Sequence, residues 1–245
     1  MPGREAWRLL VTWDGEPGWN MGLDEALLAS ADPRPTLRFY TWRPHALSLG
    51  YFQSWAELAS VAGDTVLVRR FSGGGAIHHA DELTFSLAAP QEHELFRGEV
   101  RRSYERIHAI LAGTFAQLGV AARLRGAEAL RSDRAASGMC FHRSTPLDLA
   151  WDGRKGVGSA QRRSAGRVLH HGSIKLGATP LEEGVGELRA RNAGLDAPGL
   201  AERLRARFEL ELGCAFAQES PSRLELDHAA RRAEFYRSEG FVRRR

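Results

Sequence analysis

The alternation of hydrophobic and polar positions along the chain predicts short β-strands interspersed with a few helices. Five segments of the first 90 residues have the residue types and the alternation of strands, namely 7–13, 37–42, 46–51, 65–70 and 82–88. An apolar stripe within residues 20–30 predicts a helix with Asn20 as its N-cap. The longest helix is predicted over residues 100–118, where hydrophobic residues recur at steps of three and four.

The second half of the chain predicts an antiparallel meander followed by helices. Strand-like runs cover residues 147–151, 155–163 and 168–176, with glycines at the turns between them. Residues 37–51 predict a further hairpin, and from residue 198 onward the spacing of apolar residues is helical. Because strands and helices do not alternate strictly, we expect an α/β (α+β) fold with a mixed, largely antiparallel β-sheet flanked by helices.

Charge and composition exclude several classes of protein. The chain has 34 basic and 30 acidic residues and a formal net charge of +4. Most of its arginines stand near an acidic residue, so we expect no nucleic-acid partner. No apolar run has the length of a membrane span, and the N-terminus lacks the pattern of a signal peptide. Two cysteines are too few for a disulfide framework, so we expect a cytoplasmic protein with reduced thiols.

A glycine-rich segment follows the strand predicted over residues 65–70. It reads Arg69-Arg70-Phe71-Ser72-Gly73-Gly74-Gly75. Glycines let backbone N–H groups approach a ligand closely, and the two arginines could hold a phosphate or a carboxylate. The segment matches neither a P-loop nor a dinucleotide-binding fingerprint. A flexible turn is the alternative interpretation, although a turn needs fewer glycines.

Two histidine pairs, His78-His79 and His170-His171, raise the question of a metal site. Adjacent residues on a strand point to opposite faces, so each pair offers at most one side chain to a common site. No cysteine or acidic residue stands at a spacing typical of zinc ligands. We therefore predict no metal site, and expect one member of each pair to make polar contacts or to orient a substrate.

The two cysteines differ in their surroundings. Cys214 is flanked by apolar residues, which is typical of an inert buried thiol. Cys140 precedes Lys155 by fifteen residues, and a hairpin could bring the two side chains together. A nearby ammonium raises the thiolate fraction of a cysteine. The chain has only one other lysine, Lys175, which we place at the outer end of a strand without a role.

Five motifs in order resemble those of the biotin/lipoate protein ligase and octanoyltransferase family. They are Asn20-Met-Gly-Leu-Asp-Glu-Ala26, Arg69-Arg-Phe-Ser-Gly-Gly-Gly-Ala-Ile-His-His79, Glu82-Leu-Thr-Phe-Ser86, Gly153-Arg-Lys-Gly-Val-Gly-Ser-Ala-Gln161 and His171-Gly-Ser-Ile174. Cys140, followed by Phe and placed fifteen residues before the lysine, resembles the cysteine-type octanoyltransferases. Two positions depart from them: Gly75 completes a triple glycine familiar from the ligases, and Ala80 stands where the family commonly has Asp.

The resemblance implies a function and a set of site residues. It implies transfer of an octanoyl or lipoyl group from acyl carrier protein to the lysine of a lipoyl domain, such as glycine cleavage H protein or 2-oxoacid dehydrogenase E2. Cys140 would form an acyl-enzyme, Lys155 would assist it, and no cofactor would be needed. The implied substrate-binding residues are Arg69, Arg70, Ser72, Gly73, Gly74, Gly75, His79, Gly158, Ser159, Ala160, His171, Gly172 and Ser173.

The same residues are compatible with other functions. An ATP-dependent lipoate-protein ligase, using ATP and Mg²⁺, shares the glycine loop and the lysine. An amidotransferase that moves the acyl group between lipoyl domains uses the same chemistry. From another class, a non-catalytic binder of acylated carriers or of nucleic acid would need only the glycine loop and the basic charge. We expect a monomer with a single catalytic domain over residues 1–245, made of a core over 1–180 and a helical C-terminal extension over 181–245.

Overall fold

Two β-sheets and five helices build the fold of the computed structural model, which describes residues 4–244. The strands are β1 (Glu5–Gly15), β2 (Thr36–Trp42), β3 (Ala46–Leu49), β4 (Val66–Arg69), β5 (Ile77–His79), β6 (Glu82–Pro90), β7 (Arg123–Leu124), β8 (Leu149–Trp151), β9 (Arg154–Ser164), β10 (Arg167–Lys175) and β11 (Cys214–Glu219). The helices are α1 (Pro17–Leu28), α2 (Val100–Gln117), α3 (Ala197–Leu212), α4 (Arg223–Arg237) and α5 (Glu239–Val242).

The large sheet has eight strands in the order β11-β1-β2-β6-β10-β9-β8-β7. β1 pairs in parallel with both β11 and β2, whereas the other pairs are antiparallel. The mixed, largely antiparallel sheet is therefore confirmed, as is the meander of β8, β9 and β10. The C-terminal extension is not purely helical, because β11 supplies an edge strand next to β1.

The predicted hairpin over residues 37–51 is wrong. β2 joins the large sheet between β1 and β6, whereas β3 lies in a separate three-stranded sheet in the order β4-β3-β5. The turn between β2 and β3 thus carries the chain from one sheet to the other. The two sheets bring the glycine loop, which follows β4, against the meander.

Helix α1 starts earlier than predicted. Its N-cap is Glu16, whose carboxylate accepts hydrogen bonds from the backbone N–H groups of Gly18 and Trp19. Pro17 suits the first turn because it lacks the N–H that a cap would have to satisfy. Asn20 instead lies inside the helix, where its side-chain amide donates to the carbonyl oxygens of Gly15 and Thr41.

The main hydrophobic core lies between the large sheet and helices α2 and α3. The predicted apolar face of α2 is buried there at Ile107, Leu111 and Phe115, whereas Val100 at the start of the helix is exposed. Smaller clusters fill the space between the large sheet, α1 and the small sheet. Among the described residues, no helix is both long enough and apolar enough to cross a membrane.

Candidate active site

Cys140 and Lys155 meet at the centre of the site. Cys140 begins a short 3-10 turn, Cys140–His142, between β7 and β8, and Lys155 lies near the start of β9. Lys155 Nζ lies 3.3 Å from Cys140 Sγ and 2.9 Å from the Cys140 carbonyl oxygen. The two side chains are thus close, although Cys140 is not on a strand of a hairpin; its loop folds back onto β9.

A β-bulge directs Lys155 towards the cysteine. The register between β8 and β9 shifts next to Lys155, and the extra residue is Gly156. An added Cβ at Gly156 would lie 1.9 Å from the ring of Trp151, so only glycine fits there. Because a bulge interrupts the alternation of side chains, Lys155 and Gly158 come together: a Cβ at Gly158 would lie 3.1 Å from Lys155 Cε.

The electrostatic partner of Lys155 is Asp148, which the sequence analysis missed. Asp148 Oδ2 lies 2.8 Å from Lys155 Nζ, and both side chains are buried. Burial lowers the pKa of the Lys155 ammonium, whereas the Cys140 sulfur and the Asp148 carboxylate raise it, and the net shift is upward. The only signal in the sequence was an acidic residue at the head of an apolar strand, Leu147-Asp-Leu-Ala-Trp151.

The glycine loop is joined to the cysteine loop through the backbone. The N–H of Cys140 donates to the oxygen of Ala76 at 2.7 Å, and the N–H of Ala76 donates to the oxygen of Gly138 at 2.9 Å. A Cβ at Gly75 would lie 2.9 Å from that Gly138 oxygen. The third glycine of the loop is therefore required by this close approach.

The two arginines before the glycine loop have different positions. Arg70 is buried, and its guanidinium donates to the carbonyl oxygens of Gly73 and Gly75, which shapes the loop. Arg69 is also fully buried, but it donates to the carbonyl oxygens of Gly50, Gln53 and Val242. The structure thus places Arg69 between β4 and the C-terminal helix, away from the cavity where the sequence predicted it to bind substrate.

Two cavities meet at Cys140. The first, which we call the acyl cavity, has an apolar wall that includes Met21, Tyr40, Trp42 and Ile77. The predicted residues that line it with Cys140 are Arg70, Gly73, Gly74, His79, Gly158, Ser159, Ala160, His171, Gly172 and Ser173.

The second cavity, which we call the cleft, has Lys155, Asp148 and Gly75 among its lining residues. Cys140, Gly74 and Ser159 line both spaces. A group attached to the Cys140 sulfur can therefore extend into the acyl cavity while a second reactant approaches through the cleft.

Ser72 does not line the acyl cavity, but its hydroxyl is hydrogen-bonded to His171, which does. Its hydroxyl lies 2.6 Å from His171 Nε2, and His171 Nδ1 lies 3.0 Å from Asp24 Oδ2. The Asp24 carboxylate accepts from Nδ1–H, which in a neutral imidazole leaves Nε2 to accept the hydroxyl proton of Ser72. Burial raises the pKa of the Asp24 carboxyl, but the hydrogen bond from His171 and the charge of Arg38 lower it, and the net shift is downward. Asp24 was also missed, although it interrupts the apolar stripe of α1.

The histidine pairs separate as strand geometry requires. The ring of His79 stacks on Trp42 at 3.8 Å between ring centres, and its Nδ1 is hydrogen-bonded to Glu82. The Nδ1 atom of His78 is hydrogen-bonded to Thr179 instead. His170 is buried on the face opposite His171. Within residues 4–244, no three His, Cys, Asp or Glu side chains are grouped so that they could hold a metal ion. Ala80 is buried beside His79 and brings no polar group to this position.

Lys175 and Cys214 complete the list of candidates. Lys175 lies at the end of β10, as predicted, but its ion pairs were not predicted: its ammonium is fully buried between Glu82, at 2.7 Å, and Glu182, at 2.5 Å. Its Nζ also lies 4.7 Å from the ring centre of Phe141, next to Cys140. Cys214 is buried on β11, and burial raises the pKa of its thiol to about 11. A thiol with this pKa is protonated at neutral pH, and the thiol form is a poor nucleophile.

Comparison with known proteins decides the family. Residues 16–180 match the Lipoyl protein ligase A/B catalytic domain. The chain belongs to this family. Its curated relatives include Octanoyltransferase LipM of Moorella thermoacetica, 40% identical over 179 residues, which are 70% of this chain and 66% of the relative. Octanoyltransferase LipM of an Exiguobacterium species is 40% identical over 183 residues, with 69% and 66% coverage. The chain thus matches slightly less than two thirds of the length of these relatives.

Solved structures of the family share the fold. A lipoate-protein ligase A bound with ATP superposes with a TM-score of 0.76 at 20% identity, covering 99% of both chains. A bi-partite lipoate protein ligase of Thermoplasma acidophilum, solved in a study of that enzyme and its E2 lipoyl domain, gives 0.76 at 19% identity, with 97% and 96% coverage. At this level of identity the similarity establishes the fold, and the chemistry has to be argued from the residues of the site.

Proposed function

We propose that this member of the lipoyl protein ligase A/B family is an octanoyltransferase that works through an acyl-cysteine at Cys140. The observation that carries the proposal is the position of the Cys140 sulfur, 3.3 Å from the Lys155 ammonium and at the junction of the acyl cavity and the cleft. The names of the relatives, Octanoyltransferase LipM, support the reaction class. The donor we propose is octanoyl-acyl carrier protein, and the acceptor is the lysine of a lipoyl domain.

In the first step, the Cys140 thiol loses its proton to solvent, and the thiolate attacks the thioester carbonyl of the donor. The new S–C bond forms and the bond to the donor sulfur breaks, so that sulfur leaves as a thiolate and takes up a proton from solvent. The Lys155 ammonium stabilises the thiolate and the developing oxyanion. Gly74 and Gly75, which line the cleft with Cys140, are the backbone donors we propose for that oxyanion, because neither N–H makes a backbone hydrogen bond within residues 4–244.

In the second step, the neutral amine of the acceptor lysine attacks the acyl-cysteine through the cleft. The N–C amide bond forms and the C–S bond breaks. One amine proton goes to the Cys140 sulfur, which is released as the thiol. The thioester supplies the driving force, so the proposed reaction consumes no ATP and needs no metal. The apolar wall of the acyl cavity, which includes Met21, Trp42 and Ile77, suits an alkyl chain and excludes water from the thioester.

Intact-protein mass spectrometry after incubation with octanoyl-acyl carrier protein tests the proposal. We expect one octanoyl adduct on the wild type and on Cys214→Ser, and no thioester adduct on Cys140→Ser. A wild type without an adduct, or an adduct that persists as a thioester on Cys140→Ser, refutes the acyl-cysteine. Pyrophosphate release that depends on lipoate and ATP and survives Cys140→Ala would instead identify a ligase. The cytoplasmic location, the monomeric state and the single domain stay predictions from the sequence.

A further inference from the structure

The Lys155 ammonium has more acceptors than protons. Its three protons face the Asp148 carboxylate at 2.8 Å, the Cys140 carbonyl at 2.9 Å, the Cys140 sulfur at 3.3 Å and the Arg143 carbonyl at 3.3 Å. In the described part of the chain, Asp148 is the only carboxylate within 4 Å of Lys155 Nζ. The exposed fraction is 1% for Lys155 and 4% for Asp148. The pair is therefore almost completely removed from water.

Asp148 is itself held in place by the backbone. The N–H of Thr145 donates to Asp148 Oδ2 at 2.6 Å, and the N–H of Asp148 donates back to the Thr145 carbonyl at 3.1 Å. The N–H of Arg125 donates to the Asp148 carbonyl at 2.8 Å. Asp148 directly precedes β8, and β8 pairs with β9, which carries Lys155. The carboxylate and the ammonium are thus fixed on neighbouring segments of one sheet.

The other charged groups near the pair cannot replace Asp148. Arg70, from the glycine loop, is a second cation whose pKa is lowered by burial and raised by the charge of Cys140. Lys175 lies against the same Phe141 ring as Lys155. Glu57 also lines the cleft, but it pairs with Arg143 at 3.9 Å and forms no ion pair with Lys155 among the described residues. On α2, His108 stays neutral at pH 7, because burial lowers its pKa to about 4. Asp148 is therefore the group that offsets the positive charge on Lys155.

We propose that Asp148 is a positioning residue that keeps Lys155 in its ammonium form and aims it at the Cys140 sulfur, so that the lysine acts as a hydrogen-bond donor and not as a base. This inference rests on the proposed function for its catalytic meaning. The physical reason is that a buried ammonium without a carboxylate either loses its proton or turns towards solvent, since burial penalises the charged form. A lysine that is held as an ammonium stabilises a thiolate, whereas a neutral amine does not.

The rate of Cys140 alkylation by iodoacetamide, measured by intact mass from pH 5 to pH 10, tests the inference without an acyl donor. Asp148→Asn keeps the size of the side chain and removes its charge. We expect the midpoint of the alkylation profile to move up by about one pH unit or more, which means roughly tenfold slower alkylation below both midpoints. Lys155→Gln should move it in the same direction. The double variant should match Lys155→Gln alone, because Asp148 acts through the lysine.

The direction of the shift decides between two outcomes. If Lys155 keeps its proton without Asp148, removal of a negative charge makes the cleft more positive and moves the profile to lower pH, which overturns the inference. An unchanged profile, or additive shifts in the double variant, overturns it too. Asp133→Asn is the matched control, because Asp133 holds Ser144 in the same region but does not line the cleft. We expect no shift in this variant. If the alkylation profile shifts as expected but the protein takes up no octanoyl group, the proposed function is refuted and the inference about Asp148 is not.

Discussion

Gly158→Ala separates the cysteine from the lysine without removing any functional group. An added Cβ would lie 3.1 Å from Lys155 Cε and 3.2 Å from Cys140 Sγ, so these atoms must give way by a few tenths of an ångström. Overpacking of this kind costs about 1–3 kcal/mol. Replacing a strand glycine that has an ordinary backbone conformation also restricts the unfolded chain. This stabilises the folded protein by about 0.4–1 kcal/mol and offsets part of the overpacking cost. The net loss of stability is roughly 1–2 kcal/mol, or about 2–8 °C in melting temperature for a chain of this size.

The same displacement of Lys155 and Cys140 should have a larger effect on the rate at which Cys140 is octanoylated. Misplacing reacting groups by about 1 Å costs roughly a hundredfold in rate, so we expect about a tenfold slower octanoylation of Cys140 in Gly158→Ala. The assay is the time course of the octanoyl adduct at saturating octanoyl-acyl carrier protein, with thermal unfolding measured in parallel. Gly194→Ala is the control, because a Cβ there meets no atom within 4 Å. Wild-type acylation by a Gly158→Ala protein with the expected loss of stability would refute the catalytic importance of the contact.

Three further predictions concern groups around the site. Trp42→Ala should allow longer acyl chains than octanoyl, because Trp42 and His79 line both the acyl cavity and a neighbouring cavity; unchanged relative rates for octanoyl and dodecanoyl donors would contradict this. Arg69→Met should lower stability by roughly 3 kcal/mol in urea unfolding, because buried carbonyls lose their donor, while the Michaelis constant for the acyl donor stays near the wild-type value. His108 has a pKa of about 4 when folded and about 6.5 when unfolded, so its contribution is present above pH 6.5 and is lost as the pH falls to 4. Between pH 7 and pH 5, His108→Gln should therefore lose about 2 kcal/mol less stability than the wild type, and equal losses would show that folding does not lower the pKa of His108.

Local periodicity was sufficient for most elements of the fold. The apolar stripe of α2 and the glycines between β8, β9 and β10 are properties of neighbouring residues, and the structure confirms the elements they predict. The predicted hairpin over residues 37–51 was wrong because turn residues indicate that the chain changes direction, but not which strand it pairs with afterwards. Whether β3 then pairs with β2 or joins another sheet depends on β4 and β5, which lie further along the chain.

The candidate site also combines residues that local motifs identify with positions that only the packing of distant segments sets. Motif order pointed to Cys140, Lys155 and the glycine loop, because these residues lie in recognisable local patterns. Adjacent arginines in the same motif were indistinguishable, yet Arg70 shapes the glycine loop and Arg69 binds backbone carbonyls near the C-terminus. A strand sends neighbouring side chains to opposite faces, and only the packing of the other elements determines what each face meets.

Residue patterns along the chain were sufficient to predict most strands and helices and the resemblance to the family, and they singled out Cys140 and Lys155 as candidates without showing that the two meet. Their contact and the charge balance around it are products of the tertiary structure. Asp148 reaches Lys155 because of the bulge in β9, and Lys175 is neutralised by Glu82, 93 residues earlier in the chain. Such contacts leave no periodic trace in the sequence, because they depend on where distant segments pack and on the cost of burying an unpaired charge.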